Sequence, residues 1–280
     1  MGAGAEWPSA PMWDKQARGK RKCKPVRQVM LVGWEQMRMT MRTILVLGFL
    51  AAFLLVMLPV HLILWLVGHV MPQLRYRIGK HVADRVFEGI LFLAQAKVEV
   101  KGQENIPEES VLFVSNHRSI ADIPVIFTTC GKRPGFVAKQ EMRRMYLLSG
   151  WMDNIGCLFL DRKDLRSGME MVKNGAKQIR KGNSLVIFPE GHRSQGEMLP
   201  FKEGSLKIAE KAVCPVVPVT LIGTDQIAGG SAGFFIRKGR VKVIYGEPIM
   251  LADLPKEERR RAGAAIRSEI EETIRMEQFS

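Results

Sequence analysis

An uncharged run of 32 residues, 43–74, constrains the fold of this chain more than any other feature. Its centre, 44–66, is apolar apart from His61. An apolar run longer than about 18 residues predicts a membrane segment, because it can cover the hydrocarbon core of a bilayer. A buried core helix is the alternative, but the periodic polar positions typical of one are missing. A cleavable signal peptide is disfavoured, since 42 residues precede the run and no small-x-small pattern follows it.

The same run is too long for one perpendicular crossing of the bilayer. As a straight helix it would measure about 48 Å at roughly 1.5 Å per residue, against about 30 Å of hydrocarbon. Pro59 lies in its middle and favours a kink or break. Lys and Arg outnumber acids on both sides, nine to three in 1–42 and six to three in 75–101. Because positive flanks stay cytoplasmic, a hairpin that turns near Pro59 within the cytoplasmic leaflet is favoured over a single tilted span.

The net charge is strongly positive and is unevenly distributed. The 280 residues include 42 Lys and Arg against 28 Asp and Glu, which gives +14 and points to an anionic partner. Six units of this charge lie in 1–42, densest at 20–24, nine lie in 75–250, and 251–280 carries −1. One patch for one polyanion therefore does not account for the excess. Anionic membrane lipid at the tail and flanks, plus cations for a substrate phosphate, fits this distribution.

Composition excludes two further classes of protein. Hydrophobic residues make up 46% of the chain, which excludes general disorder. The four cysteines are few and widely spaced, with no CxxC or CxxH pattern: Cys23, Cys130, Cys157 and Cys214. They argue against a disulfide framework and a metal site, and they suit a reducing compartment.

From about residue 96 onward, short apolar runs alternate with helical stretches. The runs typical of strands are 111–115, 135–138, 157–160, 185–188, 216–221 and 241–244. Apolar spacing predicts helices around 169–179, 204–213 and 255–278. This alternation predicts an α/β layered domain, with a largely parallel sheet flanked by helices and preceded by the N-terminal helical membrane segment. The predicted parts are a basic cytoplasmic tail (1–42), a membrane-embedded segment (43–74) and the α/β domain (75–280), to which the motifs below assign the chemistry.

Polar side chains follow these strands, at the edge where open α/β sheets place their sites. His117 and Asp122 are five residues apart, and on one regular helix they would point about 140° apart. They can meet only if His117 lies on the strand-to-helix turn and Asp122 begins the next helix. Pro124, tolerated in a first helical turn, supports that boundary. The carboxylate would then fix the imidazole tautomer, although a loop His and a helix-start Asp are also ordinary structural residues.

A second polar group, Glu190, Gly191 and Arg193, follows another apolar strand. A Glu-Gly-x-Arg turn can present side chains and main-chain N–H groups to a phosphate, and a plain surface turn is the alternative. Lys139 and Arg162 follow two further strands in the same way. Three cations at one edge, near a His–Asp pair, indicate an anion site.

The order of these motifs resembles that of the glycerolipid acyltransferase family, and within it the 1-acylglycerol-3-phosphate acyltransferases fit best. The resemblance covers about residues 75–250. It rests on His-x4-Asp from His117, Lys-x-Glu from Lys139, Phe-Leu-Asp-Arg to Arg162, Phe-Pro-Glu-Gly-x-Arg to Arg193, and Val-Pro-Val at 217–219. Two positions depart from the usual pattern. His192 stands where Thr is usual and Met142 where Leu is common, and the family tolerates variation at both.

The resemblance implies a role for each motif residue. His117 would be the general base and Asp122 its partner, while Asn116 and Gly191 would shape turns. The implied substrate-binding set is Lys139, Arg162, Glu190, Gly191 and Arg193. No metal and no cofactor are implied.

The implied reaction moves a fatty acyl group from a thioester of acyl-carrier protein or coenzyme A. The acceptor would be the sn-2 hydroxyl of 1-acylglycerol 3-phosphate (lysophosphatidic acid), and the product phosphatidic acid for phospholipid biosynthesis. Glycerol 3-phosphate or another lysophospholipid is the alternative acceptor. The enzyme would be a membrane protein with its catalytic domain on the cytoplasmic face.

Three other function classes fit the sequence less well. A nucleic-acid-binding protein would use the positive charge but would leave the membrane run unexplained. A His-dependent hydrolase would need a nucleophile elbow, a G-x-S-x-G turn that joins a strand to a helix. Residues 229–233 fit those letters, but the next predicted element after them is a strand. A non-catalytic membrane scaffold would not need His117 and Asp122 at this spacing.

Overall fold

A computed structural model describes residues 26–194, 196–202, 204–229 and 235–278, with side chains from residue 34 onward. The basic cluster at 20–24 lies outside the described residues, so the predicted lipid contact of the tail stays a prediction. The chain divides into two compact units, Met1–Arg38 and Met39–Ser280. The second unit contains both the uncharged run and the whole α/β region, and the proposed three-part division remains a prediction.

Helices and strands alternate from residue 96 onward, as the sequence predicts. The helices are α1 (Val26–Val56), α2 (Leu58–Val70), α3 (Pro72–Ala94), α4 (Asp122–Thr129), α5 (Tyr146–Asn154), α6 (Leu165–Arg180), α7 (Lys207–Ala212), α8 (Thr224–Ile227) and α9 (Lys256–Gln278). The strands are β1 (Ala96–Lys101), β2 (Leu112–Ser115), β3 (Gly135–Lys139), β4 (Leu158–Leu160), β5 (Leu185–Ile187), β6 (Val216–Ile222) and β7 (Gly239–Tyr245). Strand β1 has no counterpart among the predicted strands.

The strands form one seven-stranded sheet in the order β1-β7-β6-β2-β5-β3-β4. The neighbours from β6 to β4 all pair in parallel, β7 runs antiparallel to β6, and β1 runs parallel to β7. The predicted largely parallel sheet is therefore confirmed. Parallel strands end at a common edge, so the loops that follow β2, β5, β3 and β4 lie side by side.

Helices cover both faces of the sheet because successive strand residues point to opposite sides. Phe113 of β2 packs with Phe127 of α4 in one core cluster. Leu112, its neighbour along the strand, packs with Ile208 of α7 and Ile266 of α9 in a second cluster on the other face. All five side chains are at most 1% exposed. This burial on both faces explains why the central strands are continuous apolar runs.

The uncharged run forms α2 and parts of the two flanking helices. Helix α1 ends at Val56, yet helical hydrogen bonding continues across the interruption, since Met57 N–H donates to Phe53 O at 2.9 Å and His61 N–H to Met57 O at 2.8 Å. Pro59 therefore lies at the start of α2, and the helical hydrogen bonds from Met57 and His61 continue on both sides of it. The next break follows at Met71, and α2 packs against α3 and α5. The expected hairpin that turns near Pro59 is wrong in its position. One segment, Trp34–Val56, is long and apolar enough to cross a membrane.

A buried polar junction joins α2 to the α/β region. The side-chain amide of Asn154, which is 0% exposed, donates from Nδ2 to His61 Nδ1 at 3.1 Å. Its Oδ1 accepts from Arg75 Nε at 2.7 Å. The His61 ring also lies 5.9 Å from the ring of Trp151, centroid to centroid. The one polar residue in the centre of the apolar run is thus used for contact between helices.

Candidate active site

The predicted site residues follow four neighbouring strands at one edge of the sheet. His117 follows β2, Glu190 follows β5, Lys139 ends β3 and Arg162 follows β4. Neighbouring strands are about 4.8 Å apart, so three strand spacings place β4 about 14 Å from β2. A substrate that contacts both ends of this row must be extended along the edge.

His117 and Asp122 lie in direct contact, with 2.7 Å between Nδ1 and Oδ2. Asp122 is the first residue of α4, as their spacing requires, and it is 0% exposed. The same Oδ2 accepts the main-chain N–H groups of Arg118 at 2.8 Å and Ser119 at 2.9 Å. Because an ionised carboxylate can only accept, Nδ1 carries the imidazole proton and Nε2 keeps a free lone pair. The arrangement suits a general base.

The main chain of His117 is held by the loop that follows β5. Its N–H donates to Oε1 of Glu190 at 2.7 Å, and its C=O accepts the N–H of Ser194 at 2.9 Å. Phe188 of the same loop stacks on the imidazole, with 4.2 Å between ring centroids and 20° between planes. The segment 188–194 therefore fixes both the backbone and the ring plane of His117.

The Glu190 carboxylate is buried, with the residue 2% exposed. Its second oxygen, Oε2, accepts the main-chain N–H of Leu199 at 2.9 Å, so both oxygens have main-chain donors. These bonds do not favour the predicted contact between Glu190 and a phosphate. The buried carboxylate would repel a phosphate, and both of its oxygens already accept hydrogen bonds. Glu190 joins the loops after β2 and β5 instead.

Gly191 follows in a left-handed conformation at φ +75°, which favours glycine. A Cβ at this position would lie 2.9 Å from Cε of Lys202. The absence of a side chain therefore lets Lys202 approach the turn that carries Arg193. Such a close approach agrees with the turn-shaping role that the motif implies for this glycine.

Three cations of the predicted anion site are exposed at this edge: Lys139, Arg162 and Arg193. Lys139 pairs with Glu141 at 2.8 Å, and its hydrogen bond lowers the pKa of that carboxyl group. Partial burial lowers the pKa of the Arg162 guanidinium. Among the described residues, neither Arg162 nor Arg193 has an ion pair with a carboxylate. Their guanidinium groups are therefore available to an anion.

Two further residues hold the loop that carries His117, and both are 1% exposed. Asn116 donates from Nδ2 to Leu221 O at 2.9 Å and accepts Leu221 N–H at 2.8 Å, which ties the loop to β6. Ser119 Oγ donates to the main-chain oxygen of Ala228 and accepts Ala121 N–H at 3.1 Å. Sequence reasoning singled out Asn116 but missed Ser119. No cluster of three or more His, Cys, Asp or Glu residues that could hold a metal ion occurs in the described ranges.

Residues 97–222 match the protein family described as Acyltransferase. The chain belongs to the acyltransferase family. It is 34% identical over 194 residues to a chloroplastic 1-acyl-sn-glycerol-3-phosphate acyltransferase of Brassica napus, which covers 67% of this chain and 56% of the relative. A probable 1-acyl-sn-glycerol-3-phosphate acyltransferase of Mycoplasma pneumoniae is 34% identical over 159 residues, or 55% of this chain and 58% of the relative. This acyltransferase thus spans between half and three fifths of these relatives.

The fold of this acyltransferase also has a solved counterpart. The 1-acyl-sn-glycerophosphate (LPA) acyltransferase PlsC from Thermotoga maritima superposes with a TM-score of 0.69 at 24% identity. The match covers 85% of this chain and 97% of that one. Because coverage extends beyond residues 97–222, the likeness includes more than the family's core region.

Proposed function

We propose that this acyltransferase transfers a fatty acyl group from an acyl thioester to the sn-2 hydroxyl of 1-acylglycerol 3-phosphate, forming phosphatidic acid. The observation that carries the proposal is the His117–Asp122 pair, with Nδ1 bonded at 2.7 Å and Nε2 left with its lone pair. The relatives named as 1-acyl-sn-glycerol-3-phosphate acyltransferases support this choice of acceptor. Acyl-carrier protein and coenzyme A are the two candidate acyl carriers.

The proposed chemistry needs no acyl-enzyme. Nε2 of His117 takes the hydroxyl proton while the hydroxyl oxygen attacks the thioester carbonyl. The new C–O ester bond forms, the C–S bond breaks, and the imidazolium returns its proton to the departing thiolate. Asp122 stabilises the imidazolium and keeps the ring in the reactive tautomer.

Arg162 and Arg193 are the proposed phosphate-binding groups, with Lys139 close to them. Arg–phosphate pairs are charge-assisted and directional, so they orient the acceptor as well as hold it. Orientation matters because it converts the encounter of two substrates into an effectively unimolecular reaction. We assign Glu190 and Gly191 to the support of this edge, since Glu190 already accepts the main-chain N–H of His117 at 2.7 Å.

We place the catalytic edge against the cytoplasmic face of a membrane. Helix α2 exposes a row of large apolar side chains, namely Leu62, Ile63, Trp65 and Leu66. Helix α5, against which α2 packs, begins with Tyr146, which is 84% exposed, directly after Met145, which is 56% exposed. Arg144 immediately precedes them and suits anionic lipid phosphates. The acceptor, a membrane lipid, would then reach Lys139 and His117 from the same surface.

An acyl-transfer assay tests the proposal. Purified protein in detergent receives a labelled acyl thioester and lysophosphatidic acid, and phosphatidic acid is the expected product. Glycerol 3-phosphate and a neutral lysophospholipid, run in parallel, decide between acceptors. His117→Ala should abolish transfer while its thermal unfolding stays close to that of the wild type. Normal turnover by that variant would refute the assignment of the base.

A further inference from the structure

Two short antiparallel segments lie between helix α1 and the loop that carries His117. These two arms, residues 227–229 and 235–237, are together called the bridging hairpin. Arg237 N–H donates to Ile227 O at 2.7 Å, and Ala228 and Ile236 form an antiparallel bridge. Ala228 and Ile236 are each 3% exposed. The bridged centre of the arms is therefore buried, while Arg237 at the end of one arm is exposed.

One arm of the bridging hairpin contacts the loop of the general base. Ser119 Oγ donates to the main-chain oxygen of Ala228, and Ser119 is 1% exposed. The main-chain N–H of the same serine donates to Asp122 Oδ2 at 2.9 Å. Ser119 thus touches both the hairpin and the oxygen that orients His117.

The other arm contacts α1. The main-chain N–H of Ile236 donates to Thr43 Oγ1 at 2.8 Å. The Thr43 hydroxyl in turn donates its proton to Met39 O at 2.9 Å. The lone pairs of Oγ1 therefore remain to accept the N–H of Ile236. Val46, three residues further along α1, is 4% exposed and belongs to the core cluster that includes Ala228 and Ile236. Helix α1 therefore meets the hairpin through the hydrogen bond of Thr43, the first residue of the uncharged run, and through the core cluster that includes Val46.

We infer that Thr43 and Ser119 are positioning residues through which α1 sets the geometry of the His117–Asp122 pair. The inference rests on the proposed acyl-transfer function. A buried N–H that loses its acceptor costs about 1–3 kcal/mol, so the hairpin must shift or its bonds must weaken when Thr43 cannot accept. The shift reaches Asp122 through one intermediate, Ser119. Neither Thr43 nor Ser119 touches the reacting atoms.

The test uses Thr43→Val, which keeps the shape of the side chain and removes the hydroxyl. Its activity is measured with short-chain, water-soluble substrates, so that membrane partition does not enter. We expect kcat to fall about tenfold, the change that about 1.4 kcal/mol of lost positioning produces, with KM within twofold of the wild type. Thr43→Ser, which restores the acceptor, should recover most of kcat. Thr273→Val in α9 is the matched control, because Thr273 Oγ1 also donates to a main-chain oxygen in its own helix, at 2.9 Å, and kcat should not change.

A second readout does not depend on activity. Hydrogen exchange of the Arg118 and Ser119 amides, both bonded to Asp122 Oδ2, should be faster in Thr43→Val and Ser119→Ala than in the wild type. The double variant should lose less than the product of the two single losses in kcat, because both changes break the same chain of contacts. If the wild type transfers no acyl group to any acceptor, the proposed function fails, while exchange still decides the inference. Unchanged exchange in Thr43→Val overturns the inference, whatever happens to kcat.

Discussion

The main-chain N–H of His117 donates to Oε1 of Glu190 across 2.7 Å. This bond joins the loops that follow two neighbouring parallel strands, β2 and β5. A charge-assisted bond of this length in a buried site is stronger than a neutral one. The glutamate of the Glu-Gly-x-Arg turn therefore holds the backbone of His117, while the arginine three residues later is exposed.

Glu190→Gln separates a positioning role from substrate binding. The amide of glutamine keeps one acceptor, but its NH2 group must face either His117 N–H or Leu199 N–H, leaving that donor without an acceptor. A loss of about 1–3 kcal/mol follows, and we expect it mainly in kcat, as a fall of about tenfold to a hundredfold. Steady-state kinetics with varied acceptor checks this. A raised KM with normal kcat would show that Glu190 contacts the substrate.

Asp122→Asn should lower kcat by about three orders of magnitude. If the NH2 group takes the place of Oδ2, it donates toward Nδ1, which selects the unreactive tautomer, and it also meets the N–H groups of Arg118 and Ser119. If the amide oxygen takes that place, the three bonds remain, but the negative charge that stabilises the imidazolium is lost. Binding of lysophosphatidic acid should persist, because Asp122 is 0% exposed and its bonded oxygen contacts residues 117–119 of the protein. Equilibrium binding with a labelled acceptor, measured beside kcat, checks both expectations. Asp122→Asn with more than a tenth of wild-type kcat would contradict this role.

Arg193→Gln and Arg162→Gln should each raise the KM for the phosphate-bearing acceptor by about tenfold, the worth of one charge-assisted contact. The thioester KM should change much less. Lys181→Gln is the control, because Lys181 is an exposed cation at the far end of α6, which runs back from β4 toward the start of β5. Equal effects at all three positions would indicate general electrostatic attraction instead of a phosphate site.

Met145→Ser combined with Tyr146→Ser should slow transfer to an acceptor embedded in anionic vesicles by about thirtyfold. Each apolar side chain lost from a lipid surface removes on the order of 1 kcal/mol of binding free energy. Transfer to a short-chain soluble acceptor should be unaffected. Met276→Ser, at a position 64% exposed on α9, is the matched control and should behave as wild type in both assays. Equal loss in both assays would place the defect in the site and not at the lipid surface.

Lys80 makes the stability of the fold depend on pH above neutrality. It is 8% exposed on α3 and donates to Asn183 Oδ1 at 2.9 Å, and burial lowers the pKa of its ammonium group to about 8. In the unfolded chain the pKa of this group is about 10.4. Between about pH 8 and pH 10.4 the unfolded chain therefore binds more protons than the folded protein, and the free energy of unfolding rises with pH. The gain relative to Lys80→Met is on the order of 3 kcal/mol.

Thermal unfolding of both proteins between pH 7 and 10.5 checks the Lys80 prediction. Burial also raises the pKa of Cys130 to about 11 and that of Cys157 to about 12. These thiols stay protonated in the fold while the unfolded chain releases their protons, which lowers stability above about pH 9 in both proteins. The difference between wild type and variant therefore reports the titration of Lys80 together with its charge interaction with these thiols. A difference that does not change with pH would contradict the prediction.

Local patterns were sufficient for most of the α/β region. Apolar runs predicted β2 to β6 because buried parallel strands leave few polar positions, whereas β7 was recognised from apolar residues that alternate along it. Helix α7 is shorter than the pattern 204–213 suggested, because Gly204 adopts φ +84° and the helix begins only at Lys207. Strand β1, Ala96–Lys101, alternates Ala and Val with Lys and Glu, and its place at the sheet's edge explains why half of it is exposed.

Features that depend on distant contacts were not predictable in the same way. Two prolines, Pro59 and Pro72, stand at helix starts, and sequence alone drew attention to the first. Helix α2 packs against α3, which the second proline begins, and against α5, and no local pattern encodes these contacts. In the site, the five-residue spacing was enough to predict the contact between His117 and Asp122. The two side chains can meet only when His117 lies on the turn after the strand and Asp122 begins the next helix. The role of Glu190 depends on β5 lying next to β2, and no local pattern encodes which strands are neighbours.

The polar junction at Asn154 has a consequence for any shortened form of this protein. Removing the chain before about residue 72 would expose the side of α5 that His61 covers, and Nδ2 of a fully buried amide would lose its acceptor. Phe53, whose ring lies 5.0 Å from that of Trp151, would leave with it. The hydrophobic N-terminal helices therefore pack against the α/β region as part of the fold, in addition to the membrane role proposed for them. A water-soluble version is better sought by replacing their outward-facing side chains than by deleting them.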